Sequence, residues 1–271
     1  MPVTHVFLTR PVGRNGEVPG RLQQVGMVVH ELPALELRPL PRPASVPQPA
    51  GYDLVVFVSR YAAQRYLAWL REQNARFTWP PHTLAATVGA TSAQVLHDAG
   101  IIPHSSIVHP PHDAQEQDSE ALLAVLQARA MVPRRVLIVR GTQGRNWLSQ
   151  TLAAKGAQVD LLPVYERVAT RWTPKQDKAI AFALQTPQHC VFLLTSSEGV
   201  QALAAGVRRL GLMAAWSQAR FVVLHERIGA TLQSVLAPGS GEDARQPSLC
   251  RPDDDSIVQV IQAVAKPAAK P

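Results

Sequence analysis

The sequence predicts an α/β protein built of parallel sheets with covering helices, and three features of its patterning carry that reading. Short apolar runs recur at HVFLT (5–9), DLVVFV (53–58), TLAATV (83–88), SSIVH (105–109), RRVLIV (134–139), CVFLLT (190–195) and RFVVL (220–224), the signature of strands buried on both faces. Amphipathic stretches lie between and after them, at 60–73, 91–99, 118–130, 145–156, 197–210, 227–236 and 254–265. Aromatic residues make up only 6% of a chain rich in Ala, Val and Leu, which suits helices on parallel sheets better than an all-β sandwich. At 271 residues the chain is long enough for two such units.

Two segments break the alternation. MVVHELPALELRPL (27–40) and AQVDLLPVYERVATRW (157–172) are long and extended in character, and Pro33 and Pro163 interrupt them. Proline has no N–H for a ladder, so both read as edge strands or as a ribbon running between domains. Each follows an amphipathic helix that stops at a glycine, Gly26 or Gly156. Segments 39–49 and 238–247 read as loops, and 267–271 as a disordered tail.

An internal repeat sets the expected domain organisation. Ser59 ends one apolar run and opens a helix, and Ser196 does the same; Asp118 and Asp255 each follow 59 residues later. Between them, ATVGATSAQVL (86–96) and FVVLHERIGATL (221–232) share a strand, turn and helix logic. The expectation is one α/β domain over 37–166, inserted into a discontinuous one formed by 1–36 and 167–266.

Charge and motifs narrow the chemistry. The net charge is +7 and 22 of the 27 basic residues are Arg, which favours a partner rich in carboxylates or phosphates, although genome bias produces the same composition. The arginines are scattered without interleaved aromatics, which speaks against nucleic acid. No run of eighteen apolar residues occurs, so no membrane helix is expected. The N-terminal stretch lacks a secretion signal and only Cys190 and Cys250 are present, so a cytoplasmic location is expected. GxxxxGK[ST], GxGxxG, GxSxG and HExxH are all missing, which removes the common nucleotide-binding, hydrolase and zinc-protease readings. His104, His109 and His112 cluster without the partners a zinc site needs, and Cys190 reads as core packing. The acidic run Asp253 to Asp255 reads as a helix cap.

In open parallel sheets ligands lie beyond the carboxyl ends of the strands, where helix N-termini present free N–H groups. There the chain carries small hydroxyl residues and arginines. Arg10, Ser59, Thr91, Ser92, Arg140, Arg145, Ser196, Ser197 and Arg227 are the candidate binding residues for a polyanion. Each serine or threonine alone is equally well read as an N-cap.

At these positions the chain resembles the uroporphyrinogen-III synthase family. The resemblance runs through FLTRP (7–11), FVSRYAAQ (57–64), TVGATSAQVL (87–96), DSEALL (118–123), RGTQGRNWLSQTLAAKGAQVDLLPVYER (140–167), LLTSSEGVQAL (193–203) and HERI (225–228), with the block from Arg140 to Arg167 the most specific. Ser92 stands where family members commonly have Thr. The resemblance implies two similar flavodoxin-like α/β domains joined by a two-stranded β ribbon, with the active site in the intervening cleft. It implies an enzyme that takes the linear tetrapyrrole hydroxymethylbilane, an eight-carboxylate substrate, inverts its last pyrrole ring (ring D), closes the macrocycle and releases water. No metal or organic cofactor is implied, and a monomer independent of nucleic acid and membrane is expected. Tyr165 is the candidate acid by family analogy, because a phenol with an ordinary pKa near ~10 keeps its proton at neutral pH. The competing reading is a non-catalytic two-domain binding or sensor protein for an anionic metabolite.

Overall fold

The computed structural model of the chain describes residues 3–111, 118–236 and 246–266. Its strands are β1 (His5–Leu8), β2 (Val28–Glu31), β3 (Leu35–Pro39), β4 (Leu54–Phe57), β5 (Leu84–Thr87), β6 (Ile107–Val108), β7 (Arg135–Gly141), β8 (Gln158–Ala169), β9 (Cys190–Leu194), β10 (Arg220–Val223) and β11 (Ser248–Leu249). Its helices are α1 (Val18–Gln24), α2 (Arg60–Gln73), α3 (Ala90–Asp98), α4 (Ser119–Ala128), α5 (Trp147–Ala154), α6 (Pro174–Ala183), α7 (Ser197–Arg209), α8 (Met213–Ser217), α9 (Glu226–Leu236) and α10 (Asp254–Ala265). All seven apolar runs are strands and all seven amphipathic stretches are helices. α6, α8 and β11 were not expected from the sequence. His112, the loop residues 238–245 and the tail 267–271 lie outside the described residues, as does the side chain of Thr91.

The chain divides into two compact units, residues 1–36 with 168–271, and residues 37–167. In the first the sheet order is β2-β1-β9-β10-β11, with every pairing parallel. Numbered along that unit's own chain the order is 2-1-3-4-5, the flavodoxin-like arrangement. In the second, β8-β7-β4-β5-β6 run parallel in the corresponding spatial order. Strand for strand, β4 answers to β9, β5 to β10, β6 to β11, β7 to β1 and β8 to β2. The repeat is therefore real, but the chain enters the two sheets at different strands. The match of Asp118 to Asp255 is off by two residues: Asp118 caps α4 and its counterpart Asp253 caps α10, accepting from Ser256 N–H at 2.8 Å.

Each sheet is buried on both faces, as near-continuous apolar strands require. In the first unit Phe7, Phe192 and Phe221 face α6, α7, α8 and α9, while Val6, Leu8, Val191 and Leu193 face α1 and α10. In the second, Val55, Phe57, Leu137 and Val139 face α2 and α3, while Leu54, Val56, Val136 and Ile138 face α4 and α5.

The two proline-broken segments do more than form a ribbon. Segment 27–40 splits at Pro33 into β2, the edge strand of the first sheet, and β3. Leu32 and Ala34 donate to the carbonyls of Leu8 and Thr9, so Pro33 falls between two ladder donors and costs the sheet no bond. β3 pairs with β8, and the flanking bonds Leu40 N–H to Val164 O and Thr170 N–H to Ala34 O make the pair antiparallel. Both passages of the chain from one unit to the other, 36–37 and 167–168, lie inside this strand pair.

Candidate functional site

A doubly wound sheet opens a crevice where neighbouring strands send their connections in opposite directions. In the second unit that point lies beyond the carboxyl ends of β4 and β7. Ser59 follows β4 and caps α2, its Oγ accepting from Ala62 N–H at 3.1 Å. β7 ends at Arg140 and Gly141.

Tyr165 reaches the same place through a β-bulge. Arg140 pairs with Pro163 but Gly141 pairs with Tyr165, so Val164 is an extra residue on β8. Strict alternation would send Val164 and Tyr165 to opposite faces; the bulge leaves both, with Leu162, in the core against α2. Tyr165 is 4% exposed. Its ring takes an edge-on contact from Tyr61 at 5.3 Å, and its hydroxyl lies 3.3 Å from Ser59 Oγ. Gly141 makes room for it: a Cβ there would stand 2.8 Å from Tyr165 Cε2 and 3.0 Å from Cζ. Tyr61 and the bulge at Val164 were not singled out from sequence, and Gly141 was read only as part of the turn after β7.

Arg140 and Arg145 look like one basic cluster in sequence, and the fold separates them. Arg140 is 7% exposed, its Nε donating to Gly141 O at 3.1 Å and its Nη1 to Asn146 Oδ1 at 2.6 Å. Among the described residues no carboxylate pairs with it, so a buried cation is held by neutral oxygens alone. That arrangement favours an incoming anion, because burying an unpaired charge is costly. Arg145 is exposed and ion-paired to Glu120 on α4.

At the next turn α3 begins at Ala90, with Gly89 rather than a hydroxyl residue at the cap position. Ser92 is buried in the first turn of α3, and Thr91 precedes it.

The first unit repeats the pattern at its own crevice, beyond β1 and β9. Ser196 caps α7 as Ser59 caps α2, accepting from Gly199 N–H at 3.0 Å. The β1–β9 register makes Arg10 the counterpart of Arg140. Unlike Arg140 it is neutralised, with Asp254 at 3.5 Å and the carbonyls of Arg14 and Pro252 at 3.4 and 3.3 Å. Ser197 Oγ is hydrogen-bonded to Thr231 Oγ1 at 2.9 Å. Arg227 lies exposed in the first turn of α9, its backbone N–H donating to His225 Nδ1 at 3.1 Å.

Cys190 is fully buried, and burial pushes its thiol up to about 12, which makes it packing rather than a nucleophile. His97 stacks on His104 at 4.5 Å and meets His109 edge-on at 6.5 Å. Among the described residues no group of three or more metal-binding side chains converges.

The profile described as Uroporphyrinogen-III synthase HemD matches residues 17–236 of this chain. The chain belongs to the uroporphyrinogen-III synthase family. Among its relatives, the Escherichia coli K12 uroporphyrinogen-III synthase is 28% identical over 202 residues, covering 73% of this chain and 78% of that protein. The Synechococcus elongatus uroporphyrinogen-III synthase is 27% identical over 200 residues, covering 72% of each. The Helicobacter pylori uroporphyrinogen-III synthetase structure superposes with a TM-score of 0.59 at 13% identity, covering 97% of this chain and 100% of the other. A selenomethionine mutant of the Thermus thermophilus uroporphyrinogen III synthase gives 0.57 at 15% identity, covering 97% and 98%. These two likenesses place the chain in the two-domain α/β fold of the family.

Proposed function

We propose that the chain is a cofactor-independent lyase that cyclises hydroxymethylbilane to uroporphyrinogen III. Family membership supports the reaction, and the buried Tyr165 phenol beside Ser59 and Gly141, at the crevice of the second sheet, is the observation that supports a site for it. The hydroxyl of the hydroxymethyl group takes a proton and leaves as water, with the pyrrole nitrogen supplying the electron density. The resulting azafulvene cation is attacked by the substituted carbon of ring D. The spiro-pyrrolenine so formed opens and recloses with ring D inverted, and one proton is lost. The balance is one hydroxymethylbilane to one uroporphyrinogen III and one water.

In this reading Tyr165 donates the hydrogen bond that helps the hydroxyl leave. Arg140 receives a substrate carboxylate, and the turns at Ser59, Thr91 and Ser92, with those at Arg10, Ser196, Ser197 and Arg227, offer N–H groups and charge to others. Arg145 contributes at longer range, after its pair with Glu120. The main catalytic task is geometric: the chain must be held so that the substituted carbon of ring D reaches the cation before the free one does. Two free thiols, Cys190 and Cys250, support a reducing compartment, so we place the protein in the cytoplasm, as a monomer acting on a small molecule.

The test is to supply hydroxymethylbilane and determine the isomer formed. Type III product above the spontaneous rate is expected. Type I alone, at the spontaneous rate, overturns the reading.

A further inference from the structure

We propose that Ser59 is a positioning residue that acts through Tyr165, its hydroxyl hydrogen fixing the phenol oxygen so that the phenolic hydrogen points at the substrate. The inference rests on the lyase reading above and assigns Ser59 a task other than gripping a carboxylate.

Hydrogen counting leads there. A serine hydroxyl has one hydrogen and two acceptor sites. Ser59 Oγ already accepts from Ala62 N–H, 3.1 Å away, as the cap of α2. Its own hydrogen therefore needs an acceptor, and Tyr165 Oη at 3.3 Å is the neighbouring oxygen. Among the described residues Ser59 is the hydrogen-bond partner of Tyr165 Oη, so once Ser59 donates, the phenol's hydrogen is left unspent. The chain Ala62 N–H to Ser59 O–H to Tyr165 O–H then runs one way, and each bond polarises the next. The helix N-terminus at its base adds to the same direction.

The ring cannot choose another direction. Tyr61 packs on it edge-on, and Gly141 approaches so closely that a methyl group would collide with it. At 3.3 Å the Ser59 contact is longer than the ~2.7–2.8 Å of a typical O–H···O bond, as hydrogen bonds in substrate-free sites often are before the complex tightens them.

The experiment is a set of Ser59 variants in wild-type and Tyr165→Phe backgrounds, with kcat and KM measured on hydroxymethylbilane. Ser59→Ala is expected to lower kcat about 3- to 10-fold, the worth of one hydrogen bond, and to leave KM within about twofold. In Tyr165→Phe the same change is expected to cost nothing further, because the acceptor's function is already gone. Ser59→Asp keeps an acceptor for Ala62 N–H but has no hydrogen to give, so kcat falls while the thermal midpoint stays at or above that of Ser59→Ala. Ser59→Thr recovers most of the kcat lost in Ser59→Ala. A raised KM with unchanged kcat makes Ser59 a substrate contact and overturns the inference. So does a Ser59→Ala penalty that persists undiminished in Tyr165→Phe. A wild-type chain that forms no uroporphyrinogen III overturns the lyase reading itself, a result separable from either of these.

Discussion

Replacing Gly141 with alanine tests whether the Tyr165 ring is held as tightly as its neighbours suggest. The new Cβ would lie 2.8 Å from Cε2 and 3.0 Å from Cζ of a ring that is 4% exposed. Carbon atoms settle at about 3.5–4.0 Å, so the ring or the strand must yield by roughly 0.7 Å. The ring has little freedom to do so, with Tyr61 against it and Ser59 at its hydroxyl. Overpacking of this kind costs about 1–3 kcal/mol. In a protein of this size that lowers the thermal midpoint by roughly 3–10 °C. A reacting group displaced by up to an ångström loses on the order of 10- to 100-fold in rate. Thermal unfolding and the synthase assay, run on the same preparation, read both effects. Gly20→Ala is the control: Gly20 sits in α1 with nothing within 4 Å of its Cβ position, and the change there stabilises by about 0.4–1 kcal/mol. A Gly141→Ala protein that melts and turns over like wild type refutes the idea that the phenol is pinned.

Three other perturbations follow from the same structure. Gly206→Ala on α7 would put a Cβ 2.6–2.8 Å from the buried Trp172 ring, so it lowers the melting temperature even though alanine gains about 1 kcal/mol in helix propensity. Arg140→Gln removes the buried guanidinium and raises KM by about 10- to 100-fold, whereas Arg145→Gln, which breaks only an exposed pair, changes stability by no more than about 1 kcal/mol. His5 Nδ1 and His30 Nε2 share a hydrogen bond of 2.9 Å, and burial holds both imidazoles below their ordinary 6.5, with the charge of His5 further lowering His30. As pH falls through 6.5 the unfolded chain takes up protons that the folded one refuses, so stability is full above that value and declines below it. Urea midpoints at pH 7.5 and 5.5 measure the decline, and a His5→Ala/His30→Ala variant should reduce it, the remainder coming from His97, which burial and the neighbouring His104 and His109 hold down in the same way.

Much of the fold was legible because burial on both faces forces apolar runs, and those runs stand out even in a chain with few aromatics. The turn serines were legible for a related reason, since Ser59 and Ser196 sit where a strand must give way to a capped helix. α6 escaped because it buries only Ile180 and Ala183 and leaves Phe182 exposed, so it has almost no apolar stripe; its signal was the capping box of Thr173 and Gln176 around Pro174. The aim of Tyr165 was suggested by the family resemblance alone, because the alternation rule gives no warning of a bulge, although Pro163, which has no N–H to donate, marks where one is tolerated. The separation of Arg140 from Arg145 depends on Glu120, 25 residues away from Arg145, and no local pattern reports that partner.

Single-turnover kinetics of Tyr165→Phe with hydroxymethylbilane measure most directly what the Tyr165 hydroxyl contributes. The ring is kept and only the oxygen is lost, so folding and substrate affinity should hold while the rate of macrocycle formation falls by roughly 10- to 1,000-fold, the range for a lost acid catalyst. A rate equal to that of wild type would contradict the account and leave Tyr165 as packing between β7 and α2.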